Sequence, residues 1–135
     1  MKFFNNEAEE EFVKDKFSFL LDRGYEYSYE CVLYEIHVHK FSRPDGNLIQ
    51  LNDDFREHFV NLRILKNEKT TVIDFSYGTN VWTMEWVGLK AALEETKALR
   101  EKYVKDRSFS HSKYSRAVYD VFVKLIQENL DTLED

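Results

Sequence analysis

His37-Val38-His39 places two histidines around one valine. On a strand that spacing sends both imidazoles to one side, where they could hold zinc or copper if a third ligand came from elsewhere. Glu35 shares that side. No cysteine cluster or His-Glu-x-x-His helix accompanies the pair, and strict alternation with Ile36 and Val38 predicts a solvated polar strand face instead. Asp53, Asp54, Glu57 and His58 are the densest group of acids beside a histidine, a set suited to Mg²⁺ or to proton transfer. They fall between two strand patterns, where Asp serves local hydrogen bonding in turns. A restriction-type nuclease would need Glu-x-Lys on a neighbouring strand, and Glu95-Thr96-Lys97 falls inside a helical pattern. Cys31 would be a nucleophile only with His37 or His58 beside it; the simpler expectation is a small buried side chain. Ser110-His111-Ser112 lacks a Gly-x-Ser-x-Gly elbow and is expected to be linker. No catalytic, metal or cofactor site is therefore assigned from sequence.

Binding chemistry has more to work with. Residues 97–116 hold seven cations (Lys97, Arg100, Lys102, Lys105, Arg107, Lys113 and Arg116) against Glu101 and Asp106, a net of +5 in a chain of −6, which leaves −11 elsewhere. Such segregation suits electrostatic association. The competing explanation is cations offsetting exposed carbonyls at a helix C-terminus. Direct nucleic-acid binding is disfavoured by the overall acidity and by Phe109 being the one aromatic clearly interleaved with the cations. Tyr25, Tyr27 and Tyr29 alternate, so a strand would show three rings on one side, either as an interface or as core. Trp82 and Trp86 stand one helical turn apart and match Leu89 and Leu93 as core. The candidate partner-binding residues are Tyr25, Tyr27, Tyr29, Glu35, Asp53, Asp54, Glu57, Arg100, Lys105, Arg107, Lys113 and Arg116.

The elements that must position these groups follow from periodicity. Asn6 followed by Glu9 suggests a capped helix start, Phe12, Val13, Phe17, Leu20 and Leu21 continue it, and Gly24 suits its left-handed end, giving a helix over 7–23. Val32, Tyr34, Ile36 and Val38 predict a strand, Arg43-Pro44-Asp45-Gly46 a hairpin turn, and 48–51 the return strand ended by Asn52-Asp53-Asp54. Residues 59–65 and 71–77 predict a second hairpin, and 25–30 a further edge strand. A helix is expected over 84–105. Ser108–Ser112 then caps a last helix striped by Tyr114, Val118, Val121, Phe122, Leu125, Ile126, Leu130 and Leu133. The fold class is α+β: an antiparallel meander of four to five strands, with an N-terminal helix and two C-terminal helices on one face.

At 135 residues, with 43% hydrophobic and 16% aromatic residues, the chain fits one domain, residues 1–135, with a core of its own. One cysteine allows no internal disulfide, and no apolar run resembles a secretion signal or a membrane span, so a reducing, cytoplasmic setting is expected. Phe19-Leu20-Leu21-Asp22-Arg23-Gly24-Tyr25 closing an N-terminal helix before Val32-x-Tyr34-x-Ile36 resembles, over about the first 80 residues, the small α+β immunity proteins that bacteria use against their own secreted toxins. The resemblance implies a cytoplasmic, non-enzymatic inhibitor that blocks a toxin by binding, and the acidic remainder would suit a basic nuclease. A phage-encoded inhibitor of a host defence system would share this sequence physics. The other classes are a small metal-assisted hydrolase built on Asp53, Asp54, Glu57 or the His37 and His39 pair, and a subunit that dimerises through its long C-terminal helices.

Overall fold

The computed structural model describes residues 6–76, 79–83, 85–105 and 110–135. Its elements are α1 (Asn6–Lys16), α2 (Ser18–Leu21), β1 (Glu26–Val32), β2 (Ile36–Ser42), β3 (Leu48–Asp54), β4 (Phe59–Lys66), β5 (Thr70–Ser76), β6 (Thr79–Trp82), α3 (Leu89–Val104) and α4 (His111–Glu134). The fold is α+β. Every strand pairs antiparallel with the next, so the sheet is an open meander in the order β1-β2-β3-β4-β5-β6.

Six strands replace the expected four to five, for two local reasons. The apolar run from Val32 to Val38 is not one strand: Leu33 and Tyr34 take φ of +54° and +66° and turn the chain back, so that Val32 pairs with Ile36. β-propensity favoured extension there, and tight turning prevails. Residues 79–82 form an edge strand in which Trp82 pairs with Ile73, so Trp82 belongs to the sheet and α3 starts at Leu89, after Gly88 at φ +79°. Trp86 is buried ahead of that helix. The first helix ends at Lys16, and the short α2 closes on Gly24 (φ +89°), with the Tyr25 N–H donating to the Leu20 carbonyl as a left-handed cap requires. The expected cap at Asn6 and the strand end at Tyr77 lie outside the described side chains.

The register defines rows across the sheet. On the inner face Tyr27, Phe41, Ile49, Ile64 and Ile73 align, then Tyr29, His39, Leu51, Leu62 and Phe75, then Cys31, His37, Asp53 and Val60. On the outer face Ser28, Lys40, Gln50, Arg63 and Asp74 align as a polar row. The inner face receives the helices. Phe17, just after α1, packs on Phe41 at 5.6 Å and on Tyr119 of α4 at 6.0 Å between ring centroids. All eight apolar residues of the expected last-helix stripe are buried, and Ser110 caps α4 by accepting the Lys113 N–H at 3.4 Å. α4 crosses the sheet from Asp53, beside His111, to the β2–β3 turn, where the Asn47 amide reaches the Leu133 carbonyl and Arg43 pairs with Glu134.

Candidate functional site

The third inner row, with His37 and Asp53, and the β1–β2 part of the second, with Tyr29 and His39, put polar residues where the rest of the inner face is apolar, so that end of the core is built from histidine, aspartate and tyrosine. His37 and His39 are wholly buried, not solvated, because they share a face with Phe41 and lie under the helices. Asp53 is likewise inside β3 and wholly buried, not in a turn. Its carboxylate accepts the Tyr119 hydroxyl at 2.6 Å on one oxygen and His111 Nε2 at 2.5 Å on the other. A carboxylate only accepts, so Nε2 carries the hydrogen, and His111 presents Nδ1 to His58 Nδ1 at 3.1 Å. Two further pairs complete the cluster: Tyr27 with His39 Nδ1 at 2.8 Å, and Tyr29 with His37 Nδ1 at 2.6 Å. Phe55 lies between the His37 and His111 rings, with centroids 4.9 and 4.0 Å away. All four histidines of the chain thus meet in one place.

Burial governs their titration. It pushes His39 down to about 4, lowers His37, and with the neighbouring His111 lowers His58. It raises Glu9, with Asp53 adding to the effect, and raises Tyr27, Tyr29 and Tyr119. Tyr114 is pushed up to about 12 for the same reason. The His39 Nε2 is buried without a hydrogen-bond partner among the described residues, which suits a neutral ring.

Asp53, His111 and His58 have the connectivity of a proton relay, yet its inner members are sealed in the core, where no substrate reaches them. The acids expected to act together point apart. Asp53 faces inward, the Asp54 carboxylate accepts the backbone N–H groups of Arg56 and Glu57 at 2.9 Å each, and the Glu57 side chain is exposed. No group of three His, Cys, Asp or Glu among the described residues could hold a metal ion. Cys31 is half-buried opposite His37, rather than fully buried. A cavity of about 480 Å³ between α3 and the sheet is lined by Phe59, Phe75, Leu93, Lys97, Arg100 and Tyr114, and borders the histidine cluster through Tyr114, whose ring lies 5.5 Å from that of His111.

The outside of this same end collects most of the candidate partner-binding residues. The Phe55 N–H donates to the Glu35 carbonyl at 2.9 Å, tying the β3–β4 loop to the β1–β2 turn. Arg100 of α3 donates to the carbonyls of His58 and Glu57 at 2.9 and 3.2 Å. Glu35, Asp54, Glu57 and Arg100 are thereby brought to one end of the sheet, while Arg116 lies over the Phe12 ring of α1 at 4.3 Å. Arg107 lies outside the described residues. Tyr25 is buried at the opposite end, under Arg43 at 5.1 Å, and Tyr27 and Tyr29 turn inward to the histidines, so these three rings are not an exposed face. Sequence reasoning missed Tyr119, Phe55 and Glu9, which only tertiary packing brings to the histidines, and Leu33 and Tyr34, which are 64% and 90% exposed.

No protein-family model, curated protein or solved structure matches this chain. Its function has to be read from geometry. No helix among the described residues is long and apolar enough to cross a membrane.

Proposed function

We propose that this chain is a non-enzymatic inhibitor that binds another protein, a toxin or nuclease, through the end of the sheet where the β1–β2 turn, the β3–β4 loop and the α3–α4 joint meet. One observation carries the reading: Lys97, Lys102, Lys105, Lys113 and Arg116 make no ion pair among the described residues, whereas Arg23 and Arg43 at the far end pair with Asp45, Asp131 and Glu134. Lys113 stands in the first turn of α4, where the helix dipole disfavours a cation and no acid offsets it. Dipole complementation explains Lys102 and Lys105 near the end of α3 but not Lys113. Unpaired cations beside carboxylates make a two-signed surface, which suits a protein with matching patches and repels a uniform polyanion such as nucleic acid. The setting proposed is the cytoplasm, where Cys31 stays reduced.

Mixing the chain with purified bacterial toxins and nucleases and titrating their activity tests the proposal. A stoichiometric complex that weakens as salt rises from 50 to about 500 mM is the expected result. Absence of any such complex across the panel defeats it.

A further inference from the structure

We infer that Leu33 and Tyr34, at the tip of the β1–β2 hairpin, form the apolar anchor of that interface, and that they insert into the cationic substrate cleft of a nucleic-acid-cleaving enzyme. The inference rests on the reading above and adds the contact point and the partner's chemistry. Val32, Leu33 and Tyr34 are three consecutive apolar residues at 38%, 64% and 90% exposure, and Tyr34 is the most exposed large hydrophobic among the described residues. Both Leu33 and Tyr34 hold positive φ, a conformation that suits Gly and Asn and that bulky side chains avoid.

The molecule contains its own comparison. The β4–β5 turn has the same layout, with Lys66 paired to Thr70 across three residues and with positive φ at Asn67 and Glu68. There the two positions are polar. At the β1–β2 turn the same backbone presents a leucine and a tyrosine to water, at a cost in both strain and exposure. Among the described residues neither side chain is buried against the rest of the fold. Large, stiff aromatics held rigidly outward are the usual anchors of protein interfaces.

Charge selects the partner. Residues 30–36 and 54–58, which form the tip and the loop tied to it, contain four carboxylates (Glu30, Glu35, Asp54 and Glu57) and one cation, Arg56. An apolar plug with an acidic collar fits a socket with an apolar floor and cationic walls. Clefts that bind a nucleic-acid backbone have such walls, and the bases they stack require such floors.

The test uses a panel of purified secreted bacterial ribonucleases and deoxyribonucleases of basic isoelectric point, read by residual activity against added chain. The variant Leu33→Asn/Tyr34→Gly removes both side chains and supplies the residues the turn favours, so its melting temperature should rise while inhibition weakens at least 100-fold. Glu68→Gly relaxes the equivalent turn at the other end and should raise the melting temperature with inhibition unchanged. If an enzyme is inhibited and the double variant inhibits it within threefold as well, the tip is not the anchor, although the inhibitor reading stands. If the double variant only converts a self-associated chain to a monomer, the tip is a self-contact and the inference is overturned. Inhibition of no enzyme in the panel overturns both.

Discussion

The imidazole of His111 lies 2.5 Å from the carboxylate of Asp53, a partner 58 residues earlier in the chain. This bond, with the Tyr119 hydroxyl on the other oxygen, fixes the start of α4 against the end of β3. Removing the acceptor strands two donors in a region without water access. Asp53→Ala should therefore destabilise the fold by about 3–5 kcal/mol, and Asp53→Asn, which keeps the shape, by about 1–3 kcal/mol. Urea unfolding followed by far-ultraviolet circular dichroism measures both. Equal losses would mean that the carboxylate accounts for the whole effect and side-chain volume for none; no loss in Asp53→Asn would mean that volume, not the carboxylate, matters at this position.

Acid should unfold the protein through its histidines. The folded pKa of His39 lies near 4, below its ordinary 6.5, so the unfolded chain takes up the proton first as pH falls. Stability is full above 6.5, declines between 6.5 and 4, and loses about 3 kcal/mol from this group. His37 and His58 shift in the same direction and add to the slope. Urea midpoints at intervals from pH 7.5 to 4.5 should fall monotonically. The variant His39→Gln should flatten that dependence, and an unchanged slope would place the proton uptake elsewhere.

Two glycines at similar φ should respond differently to alanine. At Gly46 (φ +92°) an added Cβ would lie 2.8 Å from the Asn67 carbonyl carbon and 2.9 Å from the Glu68 nitrogen, both backbone atoms. At Gly24 (φ +89°) the nearest atom is an Arg43 side-chain carbon at 3.8 Å. Gly24→Ala meets conformational strain alone, about 1 kcal/mol. Gly46→Ala adds a clash between two turns and should lose more than about 2 kcal/mol. Thermal melts of the two variants side by side decide the matter.

These sites also show what the sequence could reveal. α4 was readable because its stripe repeats over 24 residues, and the β2–β3 turn because Pro44 and Gly46 have turn chemistry of their own. The inward facing of His37, His39 and Asp53 was not readable. Polarity argues for water, and the partners that reverse that argument come from β1 and from α4, far along the chain. The turn at Leu33 and Tyr34 was hidden for the opposite reason, since apolar residues of strand type occupy positions where backbone geometry calls for Asn and Gly. The joint cations were visible as a cluster from the start, but that Arg100 ties α3 to the loop carrying Asp54 and Glu57 needed tertiary packing.

Lys113 separates structure from function most cleanly. It lies in the first turn of α4 beside the Ser110 cap, where partial positive charge from the free N–H groups already accumulates. Lys113→Glu replaces an unfavourable charge with a favourable one and should raise stability by about 0.5–1 kcal/mol. If Lys113 serves only as a solvated surface residue, that gain is the whole effect. If it meets an acidic patch on a bound toxin or nuclease, the same variant should weaken the complex about tenfold at low salt and converge with the unchanged chain at high salt. Melting temperature and a salt series of dissociation constants, measured on one preparation, separate the two outcomes. A more stable variant with unaltered affinity would remove Lys113 from the interface.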